Sequence, residues 1–195
     1  MIRSLSRIQI GVLAAAALQL GMLGYMVADR LWLLKNGREI VLPIIPVDPR
    51  DLFRGDYVTL SFPVSRLAAN LADTTQPIQS NKFYVTFDQG VDGVWTPSKI
   101  TATIPSTRAP NQVVLKAKQR YGWGAITWGP SRNKDTIDAL YGLERYYVAE
   151  GTGGKLENLA RDKKLELVVA VDAKGNAAIK GMNVEGKRIY DEPLL

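Results

Sequence analysis

A chain of 195 residues with 46% hydrophobic and 23% charged side chains can pack one core beneath an ordinary polar surface. Its net charge of +6 is dispersed: four basic and one acidic residue in the first 35, then 21 basic and 18 acidic in mixed order, which excludes the concentrated basic face of a nucleic-acid binder. With no Cys and no His there is no thiol nucleophile, disulfide, imidazole base or Cys/His metal site, so any catalysis falls to Asp, Glu, Lys, Tyr or Ser.

The chain opens "MIRSLSRIQIGVLAAAALQLGMLGYMVADRLWLLK", with Arg3 and Arg7 ahead of an uncharged run from Ile8 to Ala28. As a helix these 21 residues extend roughly 31 Å, matching a bilayer core of about 30 Å. A cleaved signal peptide shares the basic start and apolar run, but no small-x-small site followed by a polar mature start is present. A retained signal anchor fits best. The expected division is residues 1–7 in the cytoplasm, 8–28 spanning the inner membrane, 29–38 a juxtamembrane linker and 39–195 one periplasmic domain. The positive-inside rule sets this orientation through Arg3 and Arg7, against Arg30, Lys35 and Arg38 on the far side. Trp32 falls where an interfacial aromatic is expected. Ala14, Ala17, Gly21, Gly24 and Ala28 recur at spacings of 3, 4, 3 and 4, a stripe that lets another transmembrane helix approach. An Ala- and Gly-rich span also produces such a stripe without a partner.

From Glu39 the texture becomes extended. "EIVLPIIPVDP" predicts an edge or bulged strand because its prolines cannot donate to a ladder. "YVTLSF" alternates Val58, Leu60 and Phe62 against Tyr57, Thr59 and Ser61, a half-buried strand. Residues 64–76 predict a short helix. "KFYVTFDQGVDGVWTPSKITATIP" predicts a hairpin turning on Asp88, Gly90, Asp92 and Gly93. "NQVVLKAKQRYG", "GAITWGP" and "LERYYVAEG" predict further strands, and "TGGKLENLARDKK" a helix from about Gly154. "LELVVAVDAKGNAAIKGMNVEGKRIYDE" predicts two or three strands joined at "DAKGN" and "EGK". The fold class expected is α+β, mostly β: about eight to ten short strands with one or two helices, barrel-like or a sandwich, after the transmembrane helix.

The densest polar stretch is "PVDPRDLFRGDYVTLSF". It places Asp48, Asp51 and Asp56 beside Arg50 and Arg54, with Gly55 allowing a tight turn before the strand. Arg–carboxylate pairs can lock such a turn. The aspartate spacing does not match a calcium loop and the arginines oppose a cation, so no metal and no cofactor are expected. In the downstream block, strand alternation puts Glu144 and Tyr146 on one face and Arg145 and Tyr147 on the other. Glu150 leads into the glycines at 151–154. Pairing of Arg145 with Asp51 or Asp56, and of Glu144 with Arg50 or Arg54, would knit both blocks into one polar cluster, structural or ligand-binding. Tyr121, Trp123 and Trp128 are either a carbohydrate- or partner-facing surface or core residues.

"GDYVTLSF", Gly55 to Phe62, resembles the signature of the GDYXXLXY family, membrane-associated bacterial proteins named for that pattern. Gly55, Asp56, Tyr57 and Leu60 match, and Phe62 stands where the pattern ends in Tyr. "DPRDLFR" is similar to the family's lead-in, and "YGLERYYVAEG" to its downstream Tyr-Gly-x-Glu…Glu-Gly block. The resemblance implies a single-span protein with an exported domain, often encoded beside multi-pass membrane proteins, and carries no established activity. The expected function is a membrane-anchored periplasmic accessory subunit whose partners are the bilayer and a multi-pass membrane protein. The alternatives are a carboxylate-based envelope hydrolase and a binding module for a glycan or other anionic ligand.

Overall fold

In a computed structural model, residues 6–46, 57–73, 78, 80–120, 136–147 and 165–193 are described. Helix α1 spans Arg7–Asn36. Ala, Leu, Met and Gln favour helix and no proline interrupts them. Its first turn is closed by a capping box: Gln9 N–H donates to Ser6 Oγ at 3.3 Å, and Ser6 N–H to Gln9 Oε1 at 2.9 Å. It ends at Gly37, whose N–H donates to the Leu33 carbonyl at 2.8 Å before the chain turns extended. The segment expected as a linker, 29–38, is thus the last turns of α1, Gly37 and the first residue of a strand.

Twelve strands follow among the described residues: β1 Arg38–Pro43, β2 Ile45–Pro46, β3 Tyr57–Ser61, β4 Arg66–Ala68, β5 Lys82–Gln89, β6 Trp95–Thr101, β7 Gln112–Gln119, β8 Thr136–Leu140, β9 Arg145–Tyr147, β10 Leu165–Val171, β11 Ala177–Val184 and β12 Lys187–Asp191. They form a four-stranded sheet β1-β10-β11-β12, a five-stranded sheet β4-β8-β7-β5-β6 and a small sheet β2-β3-β9. Every pairing of these strands is antiparallel. The protein is α+β and mostly β, as the alternating patterns predict.

One hydrophobic core joins the sheets. Ile40 and Leu42 of β1 and Leu165, Leu167 and Val169 of β10 share it with Phe83, Val85 and Phe87 of β5 and Leu115 of β7. The period of two in each strand sends these side chains inward. Polar ties reinforce the contact. The Arg38 guanidinium lies 5.1 Å from the Trp95 ring centre and donates to the Gln112 carbonyl at 3.2 Å. The turn between β10 and β11 docks on β7, where Lys116 N–H donates to the Gly175 carbonyl at 2.8 Å. Outside the four-stranded sheet, Leu33 and Leu34 of α1 bury themselves against Ala178 of β11.

Over the described part of the helix expected at 64–76, residues 64–73, no α-helix forms. Residues Pro63–Ser65 and Ala69–Leu71 are 3-10 turns flanking β4. Pairing decides this: Arg66, Leu67 and Ala68 face Asp138, Ile137 and Thr136 of β8, which buries Leu67 completely and overrides the local helix preference of Ala and Leu. The hairpins are as expected. Asp92 Oδ1 accepts from Val94 N–H at 3.1 Å beside Gly93 at φ +80°, and Asp172 Oδ1 accepts from Lys174 and Asn176, both at 2.8 Å. The strand expected at "GAITWGP", the helix from Gly154, and Tyr121, Trp123 and Trp128 lie outside the described residues.

Candidate functional site

Strands β3 and β9 are antiparallel neighbours: Tyr57 faces Tyr147, Val58 faces Tyr146 and Thr59 faces Arg145. The two blocks that carry the sequence resemblance are therefore one piece of structure. The ladder continues past the strand ends, where Leu60 N–H donates to the Glu144 carbonyl at 2.8 Å. In "YVTLSF" Leu60 and Phe62 serve the core. Leu60 is 1% and Phe62 2% exposed, so the side chain replacing the pattern's final tyrosine is a packing residue.

The Tyr-Gly-x-Glu block is a self-contained turn. The Tyr141 phenol is buried, donates to the Val64 carbonyl at 2.7 Å, and its ring meets Phe87 edge to face with centroids 6.0 Å apart. Burial first, and the Glu144 charge second, hold its hydroxyl above the usual tyrosine range. Gly142 takes φ +79°, a left-handed position that favours glycine. Leu143 is buried. Glu144 turns back on its own chain: Oε1 accepts from Tyr141 N–H at 2.5 Å and Oε2 from Gly142 N–H at 2.9 Å. Both of its oxygens thereby hold the turn.

Arg145 is exposed and Tyr146 half-buried against the core, consistent with opposite strand faces. Tyr146 meets Tyr190 of β12 edge to face at 6.0 Å, and the Tyr190 hydroxyl donates to Glu192 Oε2 at 3.2 Å. Burial, then a hydrogen bond with Tyr190, then the charges of Tyr190 and Glu192 raise the Tyr146 phenol above its ordinary range. Glu192 and Pro193 in turn line a groove of about 460 Å³ against Leu23, Met26, Val27, Arg30, Leu31 and Leu34 of α1.

Asp48, Arg50, Asp51, Arg54, Gly55, Asp56 and Glu150 lie outside the described residues, as do the ion pairs expected of them. Of Tyr57 the strand position is described. Ala14, Ala17, Gly21, Gly24 and Ala28 all lie on α1 and are exposed, and beyond the helix's own local backbone nothing lies within 4 Å of a Cβ built on Gly21 or Gly24. Among the described residues no three carboxylates converge as metal ligands.

Four residues that no motif marked also come together. Arg66 of β4, Asp138 of β8 and Arg120 just past β7 stand side by side, since Arg66 faces Asp138 in the ladder and Arg120 N–H donates to the Asp138 carbonyl at 2.9 Å. Ser65 sits beside them. Only the register of strands far apart in sequence reveals the row.

This architecture defines a β-rich domain carried on one N-terminal apolar helix, with two motif blocks paired beside its core. The family model described as GDYXXLXY protein matches residues 19–182, most of the chain, and the chain belongs to that family. No curated protein and no solved structure matches it significantly.

Proposed function

We propose that the protein is an accessory subunit of an envelope complex, anchored by α1 with its N-terminus in the cytoplasm and its domain in the periplasm, and held there by a multi-pass membrane partner. The observation that carries this reading is the surface of α1. None of its apolar 18-residue window is buried by the described residues, which supports a surface in contact with lipid and with another helix. The small-residue stripe runs along it, and without bulky side chains it supports close helix approach. At its other end α1 is fixed to the domain: Leu33 and Leu34 pack on β11 and Arg30 donates to the Ala177 carbonyl at 3.4 Å. A partner that grips the helix thereby sets the position of the domain over the membrane.

The test is gentle extraction of the tagged full chain from its native membrane, comparing wild type with Gly21→Ile/Gly24→Ile. A stoichiometric multi-pass protein that accompanies the wild type and is lost with the variant is the expected result. A wild-type chain that emerges alone overturns the subunit reading. Protease accessibility of the domain in intact spheroplasts checks the orientation independently.

A further inference from the structure

Beside the end of β3 lies a cleft of about 450 Å³ whose polar lining is Ser61, Ser65, Arg66, Arg120 and Asp138 over a floor that includes Phe62. Ser65 is 7% exposed, and among the described residues its buried Oγ has no hydrogen-bond partner. With essentially no accessible surface, that hydroxyl lies beneath the cleft lining, and recognition of an occupant falls to the charged side chains. The charges are arranged for an anion. Antiparallel neighbours directly opposite share a sheet face. With β8 between β4 and β7, Asp138 is flanked by Arg66 on one side and Arg120 on the other. Asp138 satisfies only part of this: its Oδ1 is 3.7 Å from Arg66 Nε, a loose pair, with two guanidinium groups against one carboxylate. Guanidinium forks match planar or tetrahedral oxyanions.

We infer that this cleft binds a small oxyanion, a carboxylate or phosphate group, between Arg66 and Arg120. Free anions and the headgroups of anionic lipids share this chemistry, and nanodiscs of neutral lipid supply only the free anion.

The experiment is calorimetric titration of the full chain in neutral-lipid nanodiscs with inorganic phosphate and with acetate, at constant ionic strength. At least one probe should bind saturably. Arg120→Gln should weaken that binding about tenfold, the effect of losing one charge-assisted hydrogen bond. Asp138→Asn should tighten it, since a competing negative charge is removed, and a merely structural role for the row gives no such gain. Lys187→Gln, an exposed lysine of the last hairpin, controls for general charge and should change nothing. No saturable binding of either probe up to about 10 mM overturns the proposal. So does binding that Arg120→Gln leaves unchanged or that Lys187→Gln weakens equally.

Discussion

Tyr146 and Tyr190 meet edge to face with ring centroids 6.0 Å apart and planes at 73°, and this contact joins the strand that pairs with the family signature to the last strand of the chain. Through Tyr190 the contact reaches Glu192, which lines the groove against α1. An edge-to-face aromatic pair contributes about 0.5–1.5 kcal/mol beyond its burial. A double-mutant cycle of Tyr146→Leu and Tyr190→Leu, read by denaturant unfolding, should give a coupling of that size. Coupling indistinguishable from zero would mean that the two rings only share a surface.

The same tyrosines set an alkaline limit on stability. Tyr141 and Tyr146 both have folded pKa values raised above the ordinary value of about 10, chiefly by burial. A raised pKa means that the folded state keeps protons which the unfolded chain gives up. The corresponding stability is fully present below about pH 10 and falls as pH rises above it. Unfolding free energy should therefore drop from pH 9 to about pH 11, with a shallower slope in Tyr141→Phe and in Tyr146→Phe. A slope that neither variant changes would assign the loss to other groups.

Glu144 has a role that no motif announced: its carboxylate accepts from the amides of Tyr141 and Gly142. Glu144→Ala should cost about 1–3 kcal/mol, since two amides lose their acceptor. Glu144→Gln keeps one acceptor oxygen and should cost less. Gly142→Ala should cost about 1 kcal/mol through its left-handed backbone alone. The order Ala worse than Gln at 144, measured by thermal unfolding, separates a turn cap from a residue needed for its charge.

What was legible in the sequence follows the range of the interactions. The hairpin between β5 and β6 and the β10–β11–β12 meander are specified locally, by Asp92 and Gly93, by Asp172 and Gly175, and by Glu185 and Gly186 at φ 49° and 77°. The apolar helix is legible because a bilayer requires a long uncharged run. β4 and β8 escape because each is short and holds its shape through the other, about seventy positions away in the chain. The row Arg66–Asp138–Arg120 escapes for the same reason: three ordinary surface residues become neighbours only when β4, β8 and β7 take their register. Leu60 and Phe62 face inward, because a half-buried strand declares its face by alternation.

The junction at Gly37 is where anchoring and folding meet. A Cβ on Gly37 would lie 2.5 Å from the Leu33 carbonyl oxygen and 3.0 Å from both Ala170 Cβ and Val171 N. None of the three can yield cheaply: two are backbone atoms and the third is a methyl on a buried strand. Gly37→Ala must therefore push the last turn of α1 away from β10, and overpacking of this kind costs about 1–3 kcal/mol. The helix itself stays intact, since its cap at Ser6 and its apolar body are untouched. Hydrogen exchange in nanodiscs should show faster exchange at Leu33, Leu34 and Ala178 in the variant, with the core strands β5 and β7 unchanged. If the anchor steers the domain, the same variant should still co-extract a partner that grips the span while domain-specific crosslinks to that partner weaken. Unchanged exchange at Leu33 and Leu34 would show that the junction tolerates the methyl group and that the close approach at Gly37 does not fix the helix to the sheet.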